Sequence, residues 1–420
     1  MANSSSVAGR GIFQRIKGTG LGRPFLILWS SSSVSTLGDG VRLVALPLLA
    51  ASITRSPIGI AAVSISGQIP WILTSLLGGA IADRLDRRSV MWVIDAVRAF
   101  VALALVGVVI AKHQSLPVLC LVAFLLGIGQ TLFDNASHAL LPSVIPKSDL
   151  ESANGRLMSS RIVLSGFVGP PLGSTLFAIM MAAPFAVDAA SFAIAAVLVR
   201  SGLKDVQIAR VPRQSKPLLR EIGEGIRWVA KHSVIRWTVL YITIVNFTQA
   251  ATQTVLVLFA LEDLGLGSRG FGVLIAAMGV GGLAGGLSGG YLRRRLQPGA
   301  VLAATVLVTI PIFLVVATTS NAILAGTMLA LNSFAGVVAS VQLSSLRQRL
   351  VPNPLLARVN SVVGMLALGV GLPVGSLVGG LLSNAVGVRA PFFLSAALIA
   401  LSALCIPKLS RAVTASARDA

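Results

Sequence analysis

The sequence predicts an all-α integral membrane protein whose twelve transmembrane helices form two parallel six-helix repeats. Three observations predict this fold class. The chain resembles itself at an offset of about 207 residues, hydrophobic segments of about 20 residues recur, and basic residues accumulate in alternate loops. Internal repeats of membrane helices are typical of secondary transporters, in which the substrate site lies between the repeats.

Two sets of residues carry the internal repeat. The Gly-Gly pair at 78–79 recurs at 285–286, ahead of an arginine-rich loop in both copies. The segment 168–174, Val-Gly-Pro-Pro-Leu-Gly-Ser, recurs as Val-Gly-Leu-Pro-Val-Gly-Ser at 370–376. The offset shrinks from about 207 to about 202 residues along the chain, so the second copy has lost about one helical turn.

Composition places these repeats in a bilayer. Hydrophobic residues make up 55% of the 420 residues and charged residues only 11%, too few to cover a soluble protein of this length. Spans long enough to cross about 30 Å of hydrocarbon are predicted by length and hydropathy. They lie near 25–51, 57–82, 89–111, 116–141, 157–181, 184–200, 237–260, 270–292, 299–318, 322–345, 358–383 and 389–407.

These spans divide the chain into five parts. The expected parts are a cytoplasmic N-terminal tail (1–24), an N-terminal half (25–200), a cytoplasmic linker (201–236), a C-terminal half (237–407) and a cytoplasmic tail (408–420). Hydrophobic residues recur at helical spacing over 218–237, with basic residues and two tryptophans beside them. This pattern predicts an amphipathic helix on the cytoplasmic leaflet, and a solvated tether is the alternative.

The net charge of +20 follows the predicted topology. Basic residues gather in the N-terminal tail, the linker and the loops at 84–88 and 293–295, whereas the loops on the other side carry about one each. The positive-inside rule therefore places both termini in the cytoplasm and the protein, with its many spans, in the cell (inner) membrane. The expected partners are the lipid bilayer, protons and a small-molecule substrate; we expect no nucleic acid, and a monomer.

The sequence has no motif for enzymatic chemistry. Cys120 and Cys405 lie in different predicted spans, and the three histidines have no partners at metal-ligand spacing. A Gly-x-x-x-x-Gly-Lys-Ser/Thr nucleotide loop is also absent. We therefore expect no enzyme, no cofactor and no metal.

The loop after the second span is the most specific motif. Residues 79–88 read Gly-Ala-Ile-Ala-Asp-Arg-Leu-Asp-Arg-Arg, which resembles the major facilitator superfamily signature Gly-x-x-x-Asp-Arg-x-Gly-Arg-Arg/Lys. In that family the loop latches the cytoplasmic side shut in the outward-open state. The resemblance implies a latch formed by Gly79, Asp83, Arg84, Arg87 and Arg88. The second copy has glycine where the first has aspartate, so the latch belongs to the first half; an arginine loop that only sets topology is the alternative.

The fifth span contains a second motif, Gly169-Pro170-Pro171-x-Gly173. It resembles the Gly-Pro-x-x-Gly-Gly motif on the fifth helix of antiporter branches of the superfamily, with Ser174 in place of the last glycine. Segments 35–47, 141–154 and 220–228 are similar to the exporter group that contains macrolide efflux proteins and enterobactin exporters. The resemblance implies the major facilitator fold and proton-driven export; close packing of a bent helix is the alternative for the motif.

Charged residues inside the first-half spans are candidates for proton coupling. Asp39 and Arg42 lie three residues apart, as do Asp95 and Arg98, so each pair shares a helix face, and Asp134 lies in the fourth span. Charge within the bilayer is costly, so such residues are usually functional or paired. Asp39, whose proton affinity Arg42 would tune, is the first candidate, Asp134 the second and Asp95 the third. Structural ion pairs are the alternative.

The second-half spans carry polar, uncharged residues instead. A substrate cavity is predicted from residues that offer hydrogen bonds, an aromatic contact and one carboxylate. The candidates are Asn246, Phe247, Gln249, Gln253, Asn332 and, from the first half, Asp188. Polar packing between helices explains them about equally well, and the acidic first half favours a cationic or neutral amphiphile.

Together these features predict a proton-coupled secondary transporter that exports amphiphilic small molecules, such as drugs or macrolide-like compounds, by alternating access. A siderophore or other natural-product exporter is the first alternative. A membrane sensor or scaffold that kept the fold without transport is the second.

Overall fold

The computed structural model describes residues 21–84, 86–204 and 218–418, and within these ranges the chain is helical, with no strands. Some helical stretches are described by their backbone alone, among them 72–84. The N-terminal half contains six long helices. They are α1 (Gly22–Ile53), α2 (Pro57–Arg84), α3 (Arg87–Ile110), α4 (Leu116–Val144), α5 (Leu150–Ile179) and α6 (Ala183–Gly202).

A short helix, α7 (Leu218–Lys231), leads from the linker into the C-terminal half. Helices of that half follow in the same order. They are α8 (Ser233–Asp263), α9 (Ser268–Arg295), α10 (Pro298–Thr318), α11 (Ala322–Leu350), α12 (Asn353–Gly364 continuing through Leu372–Val386), α13 (Ala390–Ser402) and α14 (Ile406–Arg418).

The helices have the length and composition of membrane spans. Among the described residues, ten helices are long and apolar enough to cross a bilayer, or eleven if α13 and the bent Ile406–Thr414 segment count as one span. Helix α2, with 28 residues, adds a further helix of similar length. Large hydrophobic side chains point outward from the bundle, such as Phe100, Ile179 and Ile323, which are 72%, 71% and 81% exposed. An outer surface of this kind is stable against lipid and not against water.

Helices α5 and α12 interrupt their α-helical geometry at equivalent places. Both contain a π-helical turn, Ile162–Val168 in α5 and Met365–Gly371 in α12. Prolines follow each turn at the start of the next α-helical segment, Pro170-Pro171 in α5 and Pro373 in α12. Proline has no N–H to donate to the preceding turn, so the helix widens ahead of it.

The two halves contact each other at one end of the bundle. We call the end where the linker lies the linker end, and the end with the 54–56 and 264–267 turns the opposite end. Near the opposite end, α5 packs on α9, where Gly166 meets Gly279, and α2 packs on α12, where the Gln68 amide donates to Ser376 Oγ at 3.1 Å. A half-exposed ion pair, Arg55–Glu262 at 3.3 Å, also joins the halves there.

The linker-end segments of α5 and α12 pack mainly within their own halves. Leu150–Arg161 of α5 packs mainly on α1, and Asn353–Gly364 of α12 packs mainly on α7 and α8. Among the described residues, the structure is therefore closed between the halves at the opposite end and open between them at the linker end.

Helix α7 packs on the C-terminal half. Its Glu224 accepts a hydrogen bond from Arg358 of α12 at 2.5 Å, and Val229 is buried in a cluster with Val359 and Val362 of α12. The segment predicted as an amphipathic helix is thus helical from Leu218, and its Val229 packs against α12. Helix α8 begins at Ser233, before the predicted start of the span. Residues 408–418 of the predicted C-terminal tail are also helical, and they belong to α14, which packs against α10.

We expect close packing between α1 and α5 to be required for folding. A side chain at Gly173 would overlap the backbone of Val41, whereas a side chain at Gly107 on α3 would meet nothing within 4 Å. Gly173→Leu is therefore expected to cost about 1–3 kcal/mol or more, because overpacked interfaces must shift backbone. The measurement is the yield and melting temperature of detergent-solubilised protein.

Gly107→Leu is the matched control, since it adds the same side chain to another helix of the same half. We expect wild-type yield and melting temperature for this variant. Equal behaviour of the two variants would contradict the close packing of α5 on α1.

Candidate functional site

Five charged side chains from three helices of the N-terminal half form one buried cluster, which we call the Asp39 network. Its members are Asp39 and Arg42 on α1, Asp95 and Arg98 on α3, and Asp188 on α6. Within α1 and α3 the three-residue spacing places each acid and its arginine on one helix face. The structure brings both faces together and adds the α6 carboxylate.

Asp39 connects the two arginines of the network. One of its oxygens, Oδ1, accepts hydrogen bonds from Arg42 Nη2 and Arg98 Nη2, both at 2.5 Å. Arg98 also donates through Nη1 to Asp95 Oδ1 at 3.1 Å. Arg42 Nε lies 3.2 Å from Asp188 Oδ2. The order of contacts is therefore Asp95, Arg98, Asp39, Arg42 and Asp188.

The network is isolated from solvent at both ends. The Asp95 and Asp188 side chains are 0% exposed and that of Arg98 is 1% exposed. Ser35 Oγ accepts a further hydrogen bond from Arg98 Nη1 at 3.1 Å, and the Arg98 guanidinium lies 3.8 Å from the centroid of the Phe192 ring. Electrostatic interactions are strong in such surroundings, because water does not screen them.

The charges of the network do not balance. Three carboxylates and two guanidinium groups leave one negative charge when every acid is ionised. Asp95 Oδ2 and Asp188 Oδ1 are buried and accept no hydrogen bond from any residue that the structure describes. An uncompensated buried carboxylate is costly, and a proton removes that cost. The arrangement is suited to hold one exchangeable proton.

A small cavity reaches the network at Asp39. Asp39 keeps 14% of its side chain exposed, and the cavity extends from it to the Asp134–Arg161 ion pair, in which Arg161 donates to Asp134 at 3.1 Å. The other residues that line the cavity are Ser35, Thr36, Gln130, Phe133 and Ser165. Asp134 thus lies outside the network but shares this polar cavity with its central carboxylate.

A larger cavity of about 490 Å³ lies within the C-terminal half. It extends from Tyr241 near the linker end to Leu256 and Phe392, deeper in the bundle. Among the residues proposed from sequence for the substrate cavity, four line it. These are Asn246, Gln249, Gln253 and Asn332. A volume of this size is in the range of sites for drug-sized ligands.

Two other candidates for the substrate cavity lie elsewhere. The backbone of Phe247 packs against Gly375 of α12, and Phe247 is not among the residues that line the cavity. Asp188 belongs to the Asp39 network, bound to Arg42. Both were assigned from sequence because polar and aromatic residues in a span suggest a cavity. Spacing along the chain does not show whether a side chain faces that cavity or another helix.

The sequence did not indicate Arg347, which lines the C-terminal cavity. The predicted span ended at 345, two residues before it, whereas α11 continues to Leu350. Ser340, Ser344 and Arg347 follow one helix face at spacings of four and three residues, and this polar stripe was the available signal.

The arginines of the 79–88 motif contact their own half. Arg87 donates to the Ala139 carbonyl of α4 at 2.8 Å, and Arg88 donates to the carbonyls of Arg200 and Lys204 at the end of α6. Cations at a helix C-terminus interact favourably with its unpaired carbonyls. Asp86, which replaces the superfamily glycine, caps the N-terminus of α3 by accepting from the Ser89 amide.

The other motif residues lie in helix α2. They are Gly79, Asp83 and Arg84, whose side chains lie outside the part of the chain that the structure describes. Contacts of the motif with the C-terminal half therefore remain a prediction. The described arginine contacts hold α3, α4 and α6 together at the linker end.

The helix-five motif joins the two halves. Gly169 lies against Gly40 of α1, and Gly173 lies against Val41, so the glycines allow α5 to contact the helix that carries Asp39. On another face of α5, Ser174 contacts Gly272 of α9. Pro170 and Pro171 lie between these contacts, in the first turn of the α-helical segment Gly169–Ile179.

Comparison with known proteins finds a matching family and relatives that are similar over nearly the whole chain. The profile of the transmembrane secretion effector family matches residues 22–419. The multidrug efflux pump Tap of Mycolicibacterium fortuitum is 25% identical over 399 residues, covering 92% of this chain and 96% of the pump. Macrolide efflux protein A of Streptococcus pyogenes is 24% identical over 416 residues, covering 92% and 96%.

A solved structure shares the fold. The crystal structure of a bacterial homologue of the iron transporter ferroportin, in its inward-facing state, superposes with a TM-score of 0.74. The superposition covers 92% of this chain and 98% of the ferroportin homologue, at 18% sequence identity. At this identity the similarity establishes the architecture alone.

Proposed function

Because the chain belongs to the transmembrane secretion effector family of the major facilitator superfamily, we propose that it is a proton-coupled exporter of amphiphilic small molecules that works by alternating access. Family and fold are those of a membrane transporter with homologues among drug efflux pumps. Proton coupling, substrate class and the direction of transport are the proposed parts, as is the absence of catalysis.

The Asp39 network carries the proposal for proton coupling. Its charge is −1 when all three acids are ionised, and one proton makes it neutral. The small cavity gives Asp39 a polar route, with Asp134 and Arg161 along it. A network that is stable with a proton and costly without one can load on the side where protons are abundant and release on the other side.

Helix packing supports a connection between the proton and the substrate, which bind in different halves. Asp39 is adjacent to Gly40, and Gly40 lies against Gly169 of α5. Helix α5 in turn meets α9 of the C-terminal half through Ser174. Protonation of the Asp39 network can thus bias the position of α1 and α5, and with them the closure between the halves at the opposite end.

Export is supported by the charge distribution and by the relatives. Basic loops at the linker end favour a cytoplasmic location of that end, so the opening between the halves faces the cytoplasm, as it must for loading an exported substrate. The curated relatives are named as a multidrug efflux pump and a macrolide efflux protein. The motif on α5 resembles that of antiporters in the superfamily.

Two alternatives keep the fold and change the function. An exporter of siderophores or other natural products would use the same two sites, and only the substrate panel distinguishes it from a drug exporter. A sensor or scaffold without transport would bind a ligand in the C-terminal cavity, yet its unbalanced network would have no role. That observation favours transport.

Transport is tested with energised inside-out membrane vesicles containing an acid-quenched dye. We expect addition of a transported compound, from a panel of macrolides, cationic dyes, tetracyclines, fatty acids and siderophores, to restore fluorescence. Vesicles without the protein are the control. Ligand binding with no fluorescence recovery for any bound compound would contradict proton-coupled export and favour the sensor.

A further inference from the structure

Arg347 is a cation inside the C-terminal cavity. It lies near the linker end of α11, and its side chain lines the cavity together with amide and hydroxyl groups. Among the residues that the structure describes, the lining contains no aspartate or glutamate that would balance this charge. An arginine without a counter-charge in a ligand-sized cavity is a candidate for binding an anionic group.

Arg347 has no ionic partner among the residues that the structure describes. Each of the ion pairs within the described ranges involves another arginine, and the Arg347 Nε atom is buried without a hydrogen-bond acceptor. Removing a guanidinium N–H from water without an acceptor is unfavourable. A ligand that supplies an anionic oxygen would satisfy it.

Hydroxyl groups surround the same region of the cavity. Ser340 and Ser344 lie on the face of α11 that carries Arg347, two turns and one turn before it respectively. Tyr241 lines the cavity from α8, near the linker end as well. Arginine with adjacent hydroxyl donors is a common arrangement for carboxylate and phosphate groups, since the guanidinium fork matches their oxygens.

The rest of the cavity is suited to an apolar chain. Leu256, Phe313, Leu329 and Phe392 line it farther from Arg347. An amphiphile would therefore place its charged group at the linker end and its apolar part deeper in the half. This polarity also fits entry from the linker end, where the halves are apart.

We propose that Arg347 forms an anion subsite of the C-terminal cavity, which binds the carboxylate or phosphate group of an amphiphilic ligand. The proposal rests on the proposed function in one respect, the use of this cavity by the transported molecule. It changes the substrate class expected from sequence, since the acidic groups that favoured a cationic or neutral amphiphile are already engaged by arginines in the Asp39 network.

The test uses the purified full chain in a neutral maltoside detergent. Binding of dansyl-undecanoic acid and of its uncharged methyl ester is measured by fluorescence for the wild type, Arg347→Gln and Arg347→Lys. The matched control is Arg349→Gln, on the exposed side of the same helix end and outside the cavity lining.

We expect Arg347→Gln to raise the Kd of the acid about tenfold or more, because a charge-assisted hydrogen bond is lost. The Kd of the ester is expected to stay unchanged, Arg347→Lys to retain part of the affinity for the acid, and Arg349→Gln to match the wild type. Equal losses for acid and ester would overturn the proposal, since Arg347 would then only maintain the cavity. Unchanged binding of the acid by Arg347→Gln would also overturn it.

A competition arm identifies the source of the anion. Displacement of the acid by dihexanoyl-phosphatidylglycerol, and not by dihexanoyl-phosphatidylcholine, would assign the subsite to a lipid headgroup. Resistance to both lipids, with displacement by unlabelled decanoate, would assign it to a free amphiphilic acid. Either result supports the anion subsite.

Binding in detergent needs no proton gradient, so this test fails independently of the proposed transport. Arg347-dependent binding of the acid by a protein that moves no compound in the vesicle assay would overturn proton-coupled export alone. Proton-coupled transport together with binding that is indifferent to Arg347 would overturn the anion subsite alone.

Discussion

Asp39→Asn is expected to abolish proton-driven transport while leaving the protein folded. Asparagine has nearly the same shape as aspartate, so its side-chain oxygen can still accept hydrogen bonds from Arg42 and Arg98. The change leaves two carboxylates and two guanidinium groups, a balanced network that has no reason to hold a proton. We expect fluorescence recovery in inside-out vesicles to fall to the level of vesicles without the protein.

Asp263→Asn is the matched control for this experiment. Asp263 also pairs with an arginine, Arg389 at 2.8 Å, but the pair lies at the opposite end of the bundle, far along the chain from the network. This variant is expected to transport like the wild type. Full pH-driven transport by folded Asp39→Asn would exclude Asp39 as the coupling residue.

Arg98→Gln is expected to be strongly destabilising. Arg98 contacts both Asp39 and Asp95 and is almost fully buried, so its removal leaves three carboxylates with one guanidinium group, a charge of −2. Breaking a buried ion pair by removing one partner costs about 3–5 kcal/mol. The midpoint of thermal denaturation in detergent measures the loss.

A second substitution separates charge from packing. Arg98→Gln together with Asp95→Asn restores the wild-type charge of −1, so we expect the double variant to regain part of the lost stability. Arg389→Gln, at the more exposed pair with Asp263, is the control and is expected to cost less. A double variant less stable than Arg98→Gln would show that charge balance does not govern the network.

The fold and part of the site were predictable from local patterns in the sequence. The repeat and the hydrophobic segments predicted the fold class because both can be read along the chain without knowing how the helices pack. The same is true of the pairs Asp39–Arg42 and Asp95–Arg98, which are three residues apart and are paired in the structure. Local spacing therefore identified two of the three helices that build the network.

Contacts between helices were not predictable in this way. Asp39 binds Arg98, which is 59 residues away, and Arg42 binds Asp188, a residue that the sequence assigned to the substrate cavity. These contacts depend on how α1, α3 and α6 rotate against each other, which hydropathy does not specify. For the same reason, the sequence indicated the acids of the first half and the amides of the second but missed the charge balance.

Helix ends were the other source of error. Hydrophobicity falls off before the helix ends. The span predicted at 322–345 therefore stopped short of Arg347, although α11 continues to Leu350. The amphipathic helix of the linker was predicted to lie on the cytoplasmic leaflet, whereas α7 also packs on α12 through Glu224 and Val229. Arg347 and Glu224 are both charged residues that take part in tertiary structure.

The exchangeable proton of the Asp39 network is the central claim, and infrared spectroscopy of the purified protein tests it most directly. At neutral pH, exposed acids are ionised, so the carbonyl band of a protonated carboxylic acid reports on buried groups. We predict one such group per chain in the wild type, and its loss in Asp39→Asn, Asp95→Asn and Asp188→Asn alike, since each leaves a balanced network. Absence of the band in the wild type, or its persistence in all three variants, would contradict the account.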